Sequence, residues 1–309
     1  MKIFPLAANE NWICDRFVNE WSSSFPDLVC ENPEDADIIW LLAGWCWRHV
    51  DPSLLISKKV VITIHHIVPE KFLDEQKQEF EVRDKFIDYY HVPCQKSHDQ
   101  IRQLTDKPIS IIPFWVNQKI WKHIPNKNDV RKKYGINEKS FLIGSFQRDT
   151  EGSDLVSPKL EKGPDLFCDA VQRYYEIKKA QGTNVEVLLA GWRRQYVMNR
   201  LSSAGIKFYY AELPTFEILN ELYNCLDLYI VASRYEGGPQ AIVECASTMT
   251  PIISTDVGLA SSILDEKSIF IPGNSINASP DIGTAHKNVK SLWVPNGYQS
   301  FINLFMSIS

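Results

Sequence analysis

Short runs of apolar and β-branched residues, each about the length of a strand, recur along the first part of the chain. They cover residues 2–7, 37–43, 60–64, 89–92 and 109–112. Because apolar and β-branched residues dominate these runs without regular alternation with polar residues, the runs are consistent with strands buried in a parallel sheet. The pattern therefore predicts a first α/β domain whose sheet has about five or six strands.

The same pattern resumes after residue 140 and predicts a second parallel sheet. Amphipathic stretches predict helices, and the last of these has an apolar face formed by Phe301, Leu304 and Phe305. The predicted strands cover residues 140–146, 185–190, 206–210, 227–233 and 251–254, with one more within residues 268–280, and the predicted helices cover residues 12–21, 130–135, 165–180, 216–224, 241–246 and 298–308.

The domain limits follow from a change of composition between the two series of strands. Residues 117–129 are rich in asparagine and lysine and contain a proline, so they are predicted to form a linker. The first domain is then expected at residues 1–116 and the second at residues 130–292. Residues 293–309 contain the terminal helix, which is expected to pack back toward the first domain.

Composition and charge exclude several classes of function. The chain has 309 residues and a net charge of -5, without a long run of lysine and arginine, so nucleic-acid binding is not expected. No apolar run reaches the roughly 18 residues of a membrane helix, and the first residues lack the apolar region of a signal peptide, so a cytoplasmic protein is expected. The 7 cysteines are scattered without a CxxC pair, which predicts reduced thiols and no zinc site.

The most informative stretch is residues 227–258, whose pattern predicts a strand, a glycine turn, a helix and a second strand. The turn contains Glu236 and two glycines, which let the backbone approach a ligand closely, and Pro239 follows at a position favoured at the start of a helix. Amides at a helix start favour an anion such as phosphate, and Glu244 lies further along the same helix. On these residues alone a purely structural role stays open, with Glu236 complementing the helix dipole and Glu244 solvated.

Residues 236–239 (Glu-Gly-Gly-Pro), Glu244, residues 250–251 (Thr-Pro) and residues 256–258 (Asp-Val-Gly) together resemble a known family signature. It is that of retaining, nucleotide-sugar-dependent glycosyltransferases of the GT-B fold, family 4 type (glycosyltransferase group 1), here with a shortened N-terminal domain. The resemblance implies an α/β protein in which two Rossmann-like domains with parallel sheets face an interdomain cleft. It also implies that Glu236 holds the transferred sugar and Glu244 the ribose.

Two positions depart from that signature. Gly238 stands where the family commonly has Phe or another bulky residue, and Met249 stands where it usually has Gly. Neither change removes a polar group, so the family assignment stands. The donor pocket is expected to differ from that of the relatives at these two positions.

A histidine pair follows the predicted strand at residues 60–64, at its carboxyl end. A histidine in such a position is often structural. The family carries a similar strand whose histidine reaches the donor sugar, and this resemblance assigns that role to His65. A neutral imidazole can orient a sugar hydroxyl by a hydrogen bond without acting as a general base.

Two cations resemble the pair that neutralises the leaving diphosphate in this family. Arg148 follows the strand at residues 140–146, and Lys162 precedes the helix at residues 165–180. Arg can engage two phosphate oxygens at once and Lys supplies a compact charge, so the pair replaces a divalent metal. The resemblance therefore implies catalysis without a metal or any other cofactor, with the nucleotide-diphosphate sugar as donor substrate.

The remaining contacts implied by the resemblance are less specific, because many of them use backbone atoms. In the donor site they are made by the turn after the strand at residues 227–233 and by loops that reach the nucleobase. The acceptor is assigned to the first turn of the chain, where relatives have glycines. The donor residues are Gly237, Gly238, Pro239, Trp192, Glu212 and Leu213, and the acceptor residues are Asn9, Glu10, Asn11 and Trp12.

The function implied is retaining transfer of a hexosyl or related group from a nucleotide sugar to a glycan, a glycolipid or another hydroxyl acceptor, as in polysaccharide biosynthesis. Peripheral contact of the protein with the inner face of a membrane is left open. Three alternatives remain: a nucleotide-sugar 2-epimerase, a glycan phosphorylase of the same fold, and a non-catalytic sugar-nucleotide-binding subunit. A nicotinamide dehydrogenase is not expected, because no GxGxxG follows a predicted strand.

Overall fold

A computed structural model describes residues 1–9, 13–152 and 154–309. The chain divides into two compact units, the first comprising Met1–Phe114 with Tyr298–Ser309 and the second Trp115–Gly297. Each unit has a single parallel sheet with helices in its connections. The strands are β1 (Ile3–Leu6), β2 (Ile38–Leu41), β3 (Lys59–Thr63), β4 (Tyr89–Val92), β5 (Ile109–Ile111), β6 (Phe141–Ser145), β7 (Val185–Ala190), β8 (Phe208–Ala211), β9 (Leu228–Val231), β10 (Ile252–Thr255) and β11 (Ile269–Phe270).

The helices connect successive strands and also follow the last strand of the second unit. Nearly all of them are short, and the longest has 17 residues. They are α1 (Ile13–Ser24), α2 (Pro52–Ser57), α3 (Asp74–Asp84), α4 (Gln95–Arg102), α5 (Lys127–Lys133), α6 (Pro164–Ala180), α7 (Gln195–Ser203), α8 (Phe216–Asn224), α9 (Gln240–Thr248), α10 (Ala260–Ile263), α11 (Ile282–Val289) and α12 (Gln299–Ile308).

The sheet of the first unit has its five strands in the order β1-β2-β3-β4-β5, all parallel within the described residues. This agrees with the strand number predicted from the sequence. Aromatic side chains fill the core, where the rings of Trp21 and Trp40 lie 5.6 Å apart. Helix α12 contributes Phe301 and Phe305 to the same cluster, and both are fully buried. The apolar face predicted for the last helix therefore packs within the first unit.

The sheet of the second unit has the order β11-β10-β9-β6-β7-β8, again with parallel neighbours. Strand β6 lies between β7 on one side and β9 on the other, so the strand order reverses between β6 and β9. At such a switch point the loops leaving two adjacent strands diverge, and the crevice between them is where open α/β sheets bind ligands.

The segment expected to be a linker is part of the second unit. The amide of Lys122 donates to Asn220 Oδ1 at 2.9 Å, and the amide of Ile124 donates to Asn224 Oδ1 at 2.7 Å. Trp121, directly before Lys122, is buried. At the other end the boundary also differs from the prediction, because residues 293–297 lie in the second unit and the first unit resumes only at Tyr298.

None of the helices in the described part of the chain combines the length and hydropathy that crossing a bilayer requires. All seven cysteines are present as thiols, and six of them are buried. Burial raises the pKa of several of them, for example that of Cys168 to about 12. They are therefore poor nucleophiles at neutral pH.

Helix α9 ends in a left-handed residue that is not glycine. Met249 has φ 58°, which brings Cβ close to the following carbonyl and costs about 1–2 kcal/mol. We expect Met249→Gly to raise the free energy of unfolding by about 0.5–1 kcal/mol, since relief of this strain exceeds the extra entropy of glycine in the unfolded chain. Denaturant titration measures the change.

A matched control for this substitution is Met306→Gly, in the regular helix α12. Met306 is exposed and does not have a positive φ, so glycine there should lower stability by about 1 kcal/mol. Equal destabilisation by both substitutions would contradict the assignment of strain to Met249.

Candidate active site

Two loops meet at the switch point of the second sheet, and a glycine makes their contact possible. Gly163 follows a short 3-10 turn, has φ 61° and begins the connection into α6. A Cβ built on Gly163 would lie 1.8 Å from the carbonyl oxygen of Ala232, which follows β9. Only glycine allows the loop that carries Lys162 to approach the end of β9 so closely.

Backbone hydrogen bonds join the same two loops. The amides of Arg234 and Tyr235 donate to the carbonyl oxygen of Glu161 at 2.8 and 3.2 Å. The Arg234 guanidinium also binds both carboxylate oxygens of Asp165, at 2.8 and 2.6 Å. Although burial opposes it, this arginine keeps the pKa of Asp165 below its usual range. The two loops therefore form one rigid unit.

This contact brings Lys162 and Glu236 together. Lys162 Nζ lies 2.6 Å from Glu236 Oε1, and the two side chains are only 21% and 9% exposed. Ser233 Oγ donates to the same carboxylate oxygen at 3.2 Å, while the Gln147 amide donates to the Lys162 carbonyl oxygen at 2.8 Å. A cation and a carboxylate in such a partly dry crevice interact strongly with a charged or hydroxyl-rich ligand.

Glu244 is buried within α9 and is not a solvated helix residue. It is 4% exposed, and the Tyr223 hydroxyl donates to its Oε2 at 2.8 Å. Burial, together with the Glu244 carboxylate, raises the pKa of Tyr223 well above its usual value. Tyr223 thus stays protonated and serves as a hydrogen-bond donor. The structural alternative of a solvated Glu244 is wrong, and its contact with a ribose stays a prediction.

A second glycine packs against the turn that precedes α9. Pro239, which the sequence placed at the first helical position, is the N-cap of α9, and the helix begins at Gln240. Gly258 has φ 52°, and a Cβ there would lie 2.7 Å from Pro239 Cδ and 2.8 Å from the Gly237 carbonyl oxygen. The glycine in the 256–258 motif is therefore needed for packing against the turn that contains Gly237 and Gly238.

The other donor candidates of the second unit lie at the carboxyl ends of β6, β7 and β8. Arg148 Nε donates to the carbonyl oxygen of Thr150 at 2.8 Å, and its guanidinium lies 5.9 Å from the ring centroid of Trp192. Trp192 is 53% exposed. Glu212 is exposed, and Leu213 is 66% exposed with φ 44°. These side chains are available to a ligand, but no distance places Glu212 or Leu213 beside the Lys162–Glu236 pair.

In the first unit, His65 lies just beyond β3 and is held on two sides. Its Nε2–H donates to the carbonyl oxygen of Leu42 at 2.9 Å, and Cys14 Sγ lies 3.4 Å from the same nitrogen. Its ring stacks on Phe114 at 5.7 Å with an interplanar angle of 17°. Because a carbonyl can only accept, neutral His65 carries its proton on Nε2 and its lone pair on Nδ1.

The acceptor residues predicted in the first turn are only partly described. Asn9 has φ 54°, and its amide donates to Asp15 Oδ1 at 3.0 Å. Glu10, Asn11 and Trp12 lie outside the described residues. Within the described part of the chain, no three His, Cys, Asp or Glu side chains converge in a way that could hold a metal ion.

The family model that matches this chain covers residues of the second unit. The family model described as "Glycosyl transferases group 1" matches residues 155–280, which include Lys162, Glu236 and Glu244. The lipopolysaccharide core biosynthesis mannosyltransferase LpsB of Rhizobium meliloti (strain 1021) is 22% identical over 187 residues, or 58% of this chain and 51% of that protein. The chain thus spans about half the length of the curated relative that it matches.

Solved structures resemble the whole chain. Anabaena Alr3699/HepE in complex with UDP matches with a TM-score of 0.74 and 14% identity, covering 99% of this chain and 100% of that one. The same protein in complex with UDP-glucose matches with a TM-score of 0.75, 13% identity and 99% coverage of each chain. Sucrose-phosphate synthase (tll1590) from Thermosynechococcus elongatus matches with a TM-score of 0.65 and 15% identity, covering 95% of this chain and 78% of that chain. At these identities the likeness establishes the fold.

Proposed function

We propose that the protein is a retaining glycosyltransferase of the group 1 family, because residues 155–280 match the model of that family and the whole chain has the α/β GT-B fold. It moves a sugar from a nucleotide-diphosphate sugar to a hydroxyl group of a glycan, a glycolipid or a related acceptor. The donor binds to the second unit, and the acceptor binds to the first.

The observation that carries this proposal is the position of the Lys162–Glu236 pair. The two side chains meet 2.6 Å apart where the strand order of the second sheet reverses. A donor contains a polyanion joined to a ring of hydroxyl groups, so a cation beside a carboxylate matches both of its parts. Lys162 binds the diphosphate, and Glu236 accepts hydrogen bonds from the sugar hydroxyls.

Charge on the leaving group is stabilised by the protein alone in this proposal. As the bond between the anomeric carbon and the phosphate oxygen breaks, Lys162, Arg148 and the N-terminus of α9 face the departing diphosphate. The acceptor oxygen bonds to the anomeric carbon on the same face, and its proton passes to the departing phosphate oxygen. Glu244 binds the ribose, and the Tyr223 hydroxyl orients its carboxylate.

His65 acts as a hydrogen-bonding group for a substrate hydroxyl, without serving as a nucleophile. Its Nε2 is engaged with the Leu42 carbonyl oxygen, which holds the ring in place for this contact. The stacked Phe114 ring fixes the plane in which this hydrogen bond is made. Asn9 and its neighbours are proposed to contact the acceptor.

UDP and UDP-glucose, which are bound in the HepE structures, are the first donors to test. The mannosyltransferase LpsB suggests lipopolysaccharide-type acceptors as a second choice. Purified protein is incubated with labelled nucleotide sugars and an acceptor panel, and product anomers are assigned by NMR. A product with the opposite anomeric configuration would overturn retention, and the absence of any transfer would overturn the proposed activity.

Two further incubations separate the alternative functions. Donor without acceptor yields an altered nucleotide sugar if the protein is a 2-epimerase. Strict dependence on inorganic phosphate identifies a glycan phosphorylase. Tight donor binding without transfer or hydrolysis identifies a non-catalytic sugar-nucleotide-binding subunit.

Removal of divalent metals should leave the rate of transfer within about twofold of its original value, because the cations of the site are side chains. The rate is measured after dialysis against EDTA and again after adding Mg²⁺ or Mn²⁺. A metal-dependent glycosyltransferase in the same buffers is the control. Loss of activity with EDTA and recovery with metal would contradict metal independence.

A further inference from the structure

Two arginines lie over one indole at the carboxyl ends of adjacent strands in the second unit. The guanidinium carbons of Arg148 and Arg193 are 5.9 and 5.0 Å from the ring centroid of Trp192. Among the described residues neither arginine forms an ion pair with a carboxylate. Four other arginines of the same unit do so: Arg131, Arg194, Arg200 and Arg234.

A buried ion pair holds the backbone that precedes and follows these arginines. Asp149 and Arg194 are 2% and 1% exposed, and Arg194 Nε lies 3.0 Å from Asp149 Oδ2. The amide of Asp149 donates to the Arg193 carbonyl oxygen at 3.1 Å. Arg148 and Arg193 are each the residue before one member of this pair, so their backbones are fixed relative to each other.

Three features make the surroundings of these two arginines energetically unfavourable. Arg193 has φ 61°, and its buried Nε has no hydrogen-bond partner among the described residues. Burial, and then the charge of Arg193, lowers the pKa of Arg148. Backbone strain, an unused donor and two like charges each raise the free energy of this state, and such features cluster at ligand sites.

An anion removes all of these penalties except the backbone strain. A neutral nucleobase would leave the repulsion between the two guanidinium groups in place, whereas a diphosphate offers several acceptor oxygens and a matching charge. The loop that carries Arg148 also reaches the proposed donor site, because the preceding residue, Gln147, donates to the Lys162 carbonyl oxygen at 2.8 Å.

We propose that Arg193 is a second diphosphate-binding arginine, acting with Arg148 on the anionic part of the donor, and that Trp192 supports both guanidinium groups. The inference rests on the proposed function and adds a binding residue to that site. Arg193 follows Gly191 and Trp192, directly after β7, and is therefore distinct from the Arg148–Lys162 pair.

The test compares Arg193→Met with wild type by calorimetric binding of UDP, GDP, ADP, inorganic pyrophosphate and the corresponding uncharged nucleosides. We expect Arg193→Met to weaken binding of the preferred nucleoside diphosphate at least tenfold and to leave nucleoside binding unchanged. Arg193→Lys should keep part of the affinity, because lysine retains the charge but cannot donate two parallel hydrogen bonds as a guanidinium group does. Thermal unfolding checks that each variant is folded.

Arg173→Met is the matched control. Arg173 is an exposed arginine on α6 that forms no ion pair among the described residues, so its loss should leave all affinities unchanged. Unchanged diphosphate affinity in Arg193→Met, or an equal loss for the nucleoside, would overturn this inference alone. Failure of the wild-type protein to bind any nucleoside diphosphate would overturn the proposed function and this inference with it.

Discussion

Lys162→Met is expected to lower kcat/KM for glycosyl transfer by about 10²- to 10³-fold, the range found when one preorganised donor to a developing charge is removed. The Lys162 side chain lies at the switch point and is only 21% exposed, so water replaces its charge poorly. Because its charge is lost in both the bound and the transition state, affinity for a nucleoside diphosphate should also fall. Steady-state kinetics and calorimetric titration measure the two effects.

Loss of Lys162 alone leaves the Glu236 carboxylate without its nearest cation, which lowers stability as well. The double variant Lys162→Met with Glu236→Gln removes both charges and should recover much of that stability without recovering activity. Lys267→Met is the matched control, since Lys267 forms a 2.7 Å ion pair with Asp281 in the same unit, outside the site. Near-normal transfer by the double variant would refute the site.

Gly163→Ala is expected to lower the free energy of unfolding by about 2–5 kcal/mol, combining a left-handed backbone with a forced contact in a packed interior. The new methyl group would lie 1.8 Å from the Ala232 carbonyl oxygen, a backbone atom that cannot rotate away. The two loops must separate to accommodate it, so the Lys162–Glu236 pair is displaced and transfer should fall too. Denaturant titration and the transfer assay measure these losses.

Two glycines of the same unit isolate the steric part of this effect. Gly182 and Gly205 have φ 75° and 66°, and a Cβ on either meets nothing within 4 Å. Alanine there should cost only about 1–2 kcal/mol, from the backbone conformation. If Gly163→Ala were no worse than these controls, the proposed close approach of the two loops would be wrong.

The sequence was sufficient to predict the sheets because most of their strands, such as β2, β7, β9 and β10, are buried along their whole length. The runs at β4 and β7 gave bounds that agree with the structure to the residue, and the family model matches residues 155–280, which include the glycine turn. Helix α3 gave no such signal, because only Phe80 and Arg83 of its 11 residues are buried. A helix with so narrow a buried face lacks the periodicity that sequence patterns detect.

The linker was misplaced for a related reason. Prolines, asparagines and lysines at residues 117–129 indicate an irregular segment, and the backbone there is indeed mostly irregular before α5. Composition does not show what such a segment packs against. The side chains of Asn220 and Asn224 bind its amides, and these partners lie about a hundred positions further along the chain.

The sequence identified most of the residues of the candidate site but not the contacts among them. It selected Lys162 and Glu236 for separate roles, and their direct ion pair depends on Gly163 and on loop packing that no local pattern reveals. It did not select Ser233, the last residue of one predicted strand, or Gln147, which directly follows another, because both are common polar residues. Arg193 was also missed, although a basic pair after Gly191-Trp192 at the end of a predicted strand was a usable signal.

The division of the chain also has a consequence for synthesis on the ribosome. Phe301 and Phe305 belong to the core of the first unit but are made only after the whole of the second unit. Until they emerge, Trp21 and Trp40 lack the aromatic partners that cover them in the finished protein. The second unit can therefore complete its folding first, whereas the first unit, although it is translated first, completes its core only after these two residues have been made.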